Sequence, residues 1–150
     1  MEQHWILIDG NSGLHVPWYF WLRVLDEVNR STRYGTPFGL LLLEARPKSE
    51  TRSTRAVTEA IASVPQAIRS TDLGGLLGTG RVGVLLTNQD DASAEHARDR
   101  ILERLEGTGA MRHVDWELRL LKFPSNAAEI STLLTEDWRE GEDAEAKQPA

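Results

Sequence analysis

Arg69 and Asp72 set a guanidinium and a carboxylate three residues apart. The commonplace use of such a pair is structural: Arg complements a helix C-terminus and Asp caps the following turn. Both groups are also strong hydrogen-bonding partners for a polar ligand. Gly78-Thr79-Gly80-Arg81-Val82-Gly83 fits the G-x-G-x-x-G pattern of dinucleotide sites. That motif works only when a helix N-terminus follows it and aims free N–H groups at a pyrophosphate. Here Val82-Gly83-Val84-Leu85-Leu86-Thr87 follows, which reads as a strand, so the match is that of a glycine-rich hairpin. His4, His15, His96 and His113 lack the spacing of a zinc site, and no serine sits in a G-x-S-x-G elbow. No catalytic or metal-binding set emerges. Trp18 and Trp21, three apart, read either as core or as an aromatic interaction patch.

The elements that hold these residues fit one domain over residues 1–139, within a chain of 150. There is no cysteine, which excludes disulfides and thiolate chemistry. The net charge of −6 argues against a nucleic-acid-coating surface, while leaving room for one small anion. Arg supplies 14 of the 17 basic residues. This suits bidentate phosphate recognition, although genomic base composition explains it as well. The longest apolar run, Phe38–Leu43, is far short of the ~20 residues of a membrane span. Glu2 and the missing basic region at the N-terminus exclude a signal peptide, so a cytoplasmic location is expected.

Residues 1–15 read as irregular, with a turn at Asp9–Gly13. A helix starts at Pro17, carries Trp18, Trp21, Leu22, Leu25 and Val28 as its apolar face, and stops near Gly35. Phe38 to Ala45 is a buried strand. Residues 49–70 are helical, broken or kinked at Pro65. Leu73–Leu77 and Val82–Thr87 form a hairpin about Gly78–Arg81. Asp90 and Asp91 start a helix that ends at Gly107, with Ala94, Ala97, Ile101, Leu102 and Leu105 inward. Val114–Phe123 alternates as a half-solvated strand, and a last helix carries Ile130, Leu133, Leu134 and Trp138. Residues 140–150 form a disordered acidic tail. The order α-β-α-β-β-α-β-α predicts an α+β fold. It has one mainly antiparallel, ferredoxin-like sheet flanked by helices.

Taken in order, these segments resemble a GGDEF domain of the diguanylate cyclase family. Asp9-Gly10-Asn11-Ser12-Gly13-Leu14 is similar to the opening D-x-L-T-G-L, and Tyr19-Phe20 with the following helix resembles the first helix. Thr36 to Glu44 resembles the first core strand. Arg69-Ser70-Thr71-Asp72-Leu73 is similar to R-x-S-D-L, and Gly75–Leu86 lines up without gaps on the signature segment. Leu120–Leu134 resembles the later strand, an F-P segment and the last helix, so the likeness covers residues 9 to about 138. The fold it implies is that of nucleotidyl cyclases.

The departures lie at the signature, Gly78-Thr79-Gly80-Arg81-Val82. The family's carboxylates in this turn and at the end of the first strand hold two divalent cations; here Gly80 and Arg81 replace two of them. Glu44 could still give one oxygen, but one carboxylate facing a guanidinium is not a magnesium site. The guanine-reading F-K-x-x-N-D is not found after Glu44, where Ala45–Ser49 stands instead. The connection to Arg69 is roughly ten residues shorter than usual, as variation in loops and connectors allows. The resemblance therefore implies a degenerate, catalytically inactive domain with no cofactor. It also implies that Arg69 and Asp72 match the inhibitory-site motif R-x-x-D, which binds cyclic di-GMP, with a further arginine from Arg81, Arg98 or Arg100. The expected functions are, first, a cyclic di-GMP receptor and, second, a nucleotide-independent module for protein interaction or homodimerisation through the tryptophan-bearing helix. An active nucleotidyltransferase is the least favoured. With eight residues before Asp9, the partner is expected to be met in trans.

Overall fold

The structure is a computed structural model that describes residues 7–48, 54–107 and 113–136. Trp138, His4 and the acidic tail lie outside the described residues. Helices α1 (Pro17–Tyr34), α2 (Thr54–Ala62), α3 (Val64–Ala67), α4 (Asp91–Glu106) and α5 (127–136) surround four strands. The strands are β1 (Phe38–Pro47), β2 (Leu73–Gly78), β3 (Arg81–Leu86) and β4 (Val114–Phe123). The sheet order is β2-β3-β1-β4, and every pairing is antiparallel. The expected α+β arrangement is the one observed. Among the described residues no helix is long and apolar enough to cross a membrane.

β1 runs two residues past Ala45 because Ala45, Arg46 and Pro47 stay paired with Trp116, Asp115 and Val114. Its side chains alternate between two cores, as a central strand with both faces covered must. Leu41, Leu43 and Ala45 enter the core beneath α2, α3 and α4. Phe38 and Leu40 enter a second core with Phe20, Trp21 and Val24 of α1 and Ile130 of α5. The helical stretch breaks between Ala62 and Val64, with Pro65 in the first turn of α3, where a missing N–H costs nothing. The segment before α1 is more ordered than expected. Ile8 bridges His15, and His15 adds to the outer edge of β2 at Gly75.

The orientation of α1 differs from the sequence expectation. Of the expected apolar face Trp21 is buried and Val28 packs against the core, but Leu22 and Leu25 are exposed, and Phe20, Val24, Glu27 and Ser31 are buried instead. The cause lies in the sheet. Phe20 lies over Gly75 and Gly83: a Cβ at Gly75 would overlap its ring, and one at Gly83 would lie 2.7 Å from it. Locking Phe20 into that groove rotates α1 and turns the Leu22–Leu25 side to solvent.

Candidate functional site

The chain leaves α3 through Ile68 in extended conformation and turns sharply before β2. Two bonds close the turn. The Asp72 N–H donates to the Arg69 carbonyl at 3.0 Å, and Asp72 Oδ2 accepts from the Arg69 N–H at 2.9 Å. Asp72 thus binds the backbone of Arg69, not its guanidinium. The capping role expected of such a pair is real, and it leaves the exposed Arg69 side chain unspent.

Asp72 is more than a turn residue, because its side chain is only 5% exposed. A buried carboxylate needs a counter-charge. α4 brings one: Arg100 Nη2 lies 3.7 Å from Asp72 Oδ2. That distance is an ion pair without a hydrogen bond. Nε and Nη2 of Arg100 are buried and make no hydrogen bond. Burial, first of all, lowers the Arg100 pKa from its ordinary value. Arg69 and Arg104 nearby push the same way, while Asp72 opposes them. Two further arginines thus act on Arg100, the partner of Asp72, in an acidic protein. Buried donors left unpaired are costly.

The three arginines proposed from sequence to complete this site are separated by the fold. Arg100 reaches it. Arg98, two residues earlier on α4, pairs with Asp99 at 3.0 Å. Arg81 lies at the other end of the β2–β3 hairpin, opposite Glu44. Nothing in the sequence distinguished Arg100 from Arg98 beyond the helical phase, which buries Ala97 and Ile101 on either side.

The signature turn, Thr79-Gly80, closes that hairpin. Gly80 holds φ +70°, and its carbonyl accepts from the Ala45 N–H at 2.8 Å. Gly78 ends β2, while Arg81 and Val82 open β3. The register sets Arg81, Glu44 and Glu117 side by side across the sheet. Arg46 bridges the two acids, at 3.0 Å to Glu44 and 2.8 Å to Glu117. These contacts, the Glu44 hydrogen bond foremost, raise the Arg46 pKa. A cleft of about 480 Å³ adjoins the turn, lined by Asp9, Glu44, Val57, Ile61, Leu76 and Gly80. Asp9 is engaged by Ser12, whose N–H and Oγ donate at 2.9 and 2.7 Å. Among the described residues no three of His, Cys, Asp and Glu cluster as a metal site. Glu44 stands between two guanidinium-bearing neighbours, a donor set that does not fit a hard divalent cation.

The tryptophans divide. Trp21 is 1% exposed and belongs to the core, so it offers no surface to a partner; Trp18 is half-buried at the start of α1, edge-on to Tyr19.

No protein-family model matches the sequence, and no curated protein matches it significantly. Solved structures do match, and the fold they define is that of a GGDEF domain. The GGDEF domain of DgcB from Caulobacter crescentus, in complex with c-di-GMP, superposes with a TM-score of 0.69 over 94% of this chain and 92% of its own, at 9% identity. The GGDEF domain of YfiN (TpbB) from Pseudomonas aeruginosa gives 0.67 over 89% of both chains, at 12% identity. That of FimX from the same organism gives 0.65 over 96% of both, at 13% identity.

Proposed function

We propose that this chain is a signalling module that binds cyclic di-GMP and does not synthesise it. The single observation that carries the first half is Arg100. Its Nε and Nη2 are buried beside the Asp72 carboxylate without hydrogen bonds, near the exposed side chain of Arg69. The chemistry is complementary to a guanine nucleotide. The Asp72 carboxylate accepts from guanine N1–H and N2–H₂, and the arginine forks take O6 and N7 or a phosphodiester. The sequence resemblance at Arg69-x-x-Asp72 and the likeness of the fold to a domain bound to c-di-GMP support this reading.

The second half rests on the signature turn. The cations that the resemblance implies need carboxylates. Gly80 has none, Arg81 carries the opposite charge, and Glu44 is tied to Arg46. The polyphosphate charge of a nucleoside triphosphate would then meet no metal to stabilise it.

Calorimetric titration tests the receptor. Cyclic di-GMP is expected to bind the wild-type protein, and Arg69→Ala to weaken it at least tenfold. No heat from the wild type at high micromolar nucleotide sinks the reading. Incubation with GTP and magnesium tests the second half: no cyclic dinucleotide is expected, and a measurable yield overturns it.

A further inference from the structure

The outward face of α1 is apolar over its first half. Leu22 and Leu25 are 38% and 43% exposed, and half-buried Trp18 stands one turn before Leu22. Positions 18, 22 and 25 follow i, i+4, i+7, so they form one stripe and not scattered surface residues. Beyond it, the same face becomes polar with Asp26, Asn29, Arg30 and Arg33, all exposed. The start of α1 carries a second peculiarity. Val16 at the N-cap makes no side-chain bond, and the first turn contains no acid. Neither the N-cap side chain nor the first turn of α1 therefore supplies a carboxylate to the positive end of the helix dipole.

We infer that α1 is a homodimer contact in which two copies pack their α1 helices antiparallel about a two-fold axis at Leu22. Charge selects this occupant. In antiparallel register Asp26 lies about 6 Å past the axis, beside the partner's residue 18, four residues of helical rise away. It thus supplies the carboxylate that the partner's α1 N-terminus lacks, and the symmetry makes the contact reciprocal. Leu22 and Leu25 cover the partner's stripe. Arg30 and Arg33 project beyond the partner's helix start. A parallel pair would set Asp26 on Asp26 and Arg33 on Arg33. One helix–helix contact belongs to the small class of interfaces, so the dimer is a weak one, in the micromolar range. It needs no nucleotide, and it stands apart from the Arg69–Asp72–Arg100 site.

Sedimentation equilibrium of the full chain in nucleotide-free buffer, from micromolar to millimolar protein, tests the inference. A monomer–dimer equilibrium is expected. Leu22→Glu should abolish it with unchanged thermal unfolding. Asp26→Asn should weaken it about threefold to thirtyfold, the value of two helix-end charges. The native chain has no cysteine, so Leu22→Cys gives an independent readout. Under mild oxidation it should form a disulfide-linked dimer, whereas Asn29→Cys, far from the axis, should not. A wild-type protein that stays monomeric throughout overturns the inference. So does a dimer indifferent to Leu22→Glu, or a Leu22→Cys variant that does not cross-link. Capture of an acidic helix from another protein by a monomeric chain also counts against it.

Discussion

Asp72 and Arg100 face each other at 3.7 Å, one side chain 5% and the other 23% exposed, without a hydrogen bond between them. The carboxylate accepts from the Arg69 backbone, whereas Nε and Nη2 of the guanidinium make no hydrogen bond. The carboxylate thus has a hydrogen-bond partner that the buried guanidinium nitrogens lack. Buried ion pairs with poor geometry seldom repay their desolvation.

Arg100→Met tests both stability and binding. It removes a desolvated cation from beside Arg69 and Arg104 and keeps the apolar stem. It also leaves the 5% exposed Asp72 carboxylate without its counter-charge, so unfolding in urea is expected to show a loss of about 1–3 kcal/mol. Cyclic di-GMP affinity should fall at least tenfold in calorimetry. An unchanged or stabilised variant would mean that burial of the guanidinium costs more than its pair with Asp72 returns.

Gly75 is the seat of Phe20. An added Cβ has no space there, and Phe20, being fully buried, cannot swing away. Gly75→Ala should cost about 1–3 kcal/mol in denaturant unfolding, the usual range for overpacking. Combining it with Phe20→Leu should recover part of the loss.

Restoring an acid at the signature turn should not restore a cyclase. Gly80 is left-handed, and a Cβ there would lie 2.9 Å from the Ala45 carbonyl oxygen. Gly80→Asp should lower stability by about 1–2 kcal/mol from left-handed strain alone. Product formation from GTP and magnesium, followed chromatographically, should stay at zero.

Asp90 caps α4 by accepting from the Ser93 N–H at 2.8 Å, and this bond lowers its pKa. A carboxyl with a depressed folded-state pKa contributes stability above its unfolded pKa, and the contribution is lost as pH falls through the folded value. Thermal midpoints should accordingly drop below about pH 4, the ordinary carboxylate range. Asp90→Asn keeps a capping oxygen without the charge. It should flatten that part of the acid profile, read as the difference in midpoint between neutral and acid pH.

Much of the fold was legible in the chain. The apolar run from Phe38 has the period and length of a central strand, Gly107 and Asp90 bracket α4, and the glycines at 78 and 80 announce a hairpin. These are local effects: backbone freedom, capping and side-chain alternation act within a few residues. Arg69 and Asp72 were visible for the same reason, since their turn closes within four residues.

The rotation of α1 and the identity of the third site residue were not legible. The sequence marks Trp18, Trp21, Leu22, Leu25 and Val28 as the apolar face of α1, of which Trp21 and Val28 do meet the core; two rows then compete, Trp18, Leu22 and Leu25 against Phe20, Val24 and Glu27. The first is the more apolar, yet the second is buried, because Gly75 and Gly83, more than fifty residues away, shape a groove for Phe20. Likewise, Arg98 and Arg100 are equivalent by composition. Only the packing of Ala97 and Ile101 into the core turns Arg100 toward Asp72. Single-domain size, acidity and an antiparallel α+β sheet follow from pattern and propensity alone. Which face of a helix meets solvent, and which arginine meets a carboxylate, follow from contacts between segments distant in sequence.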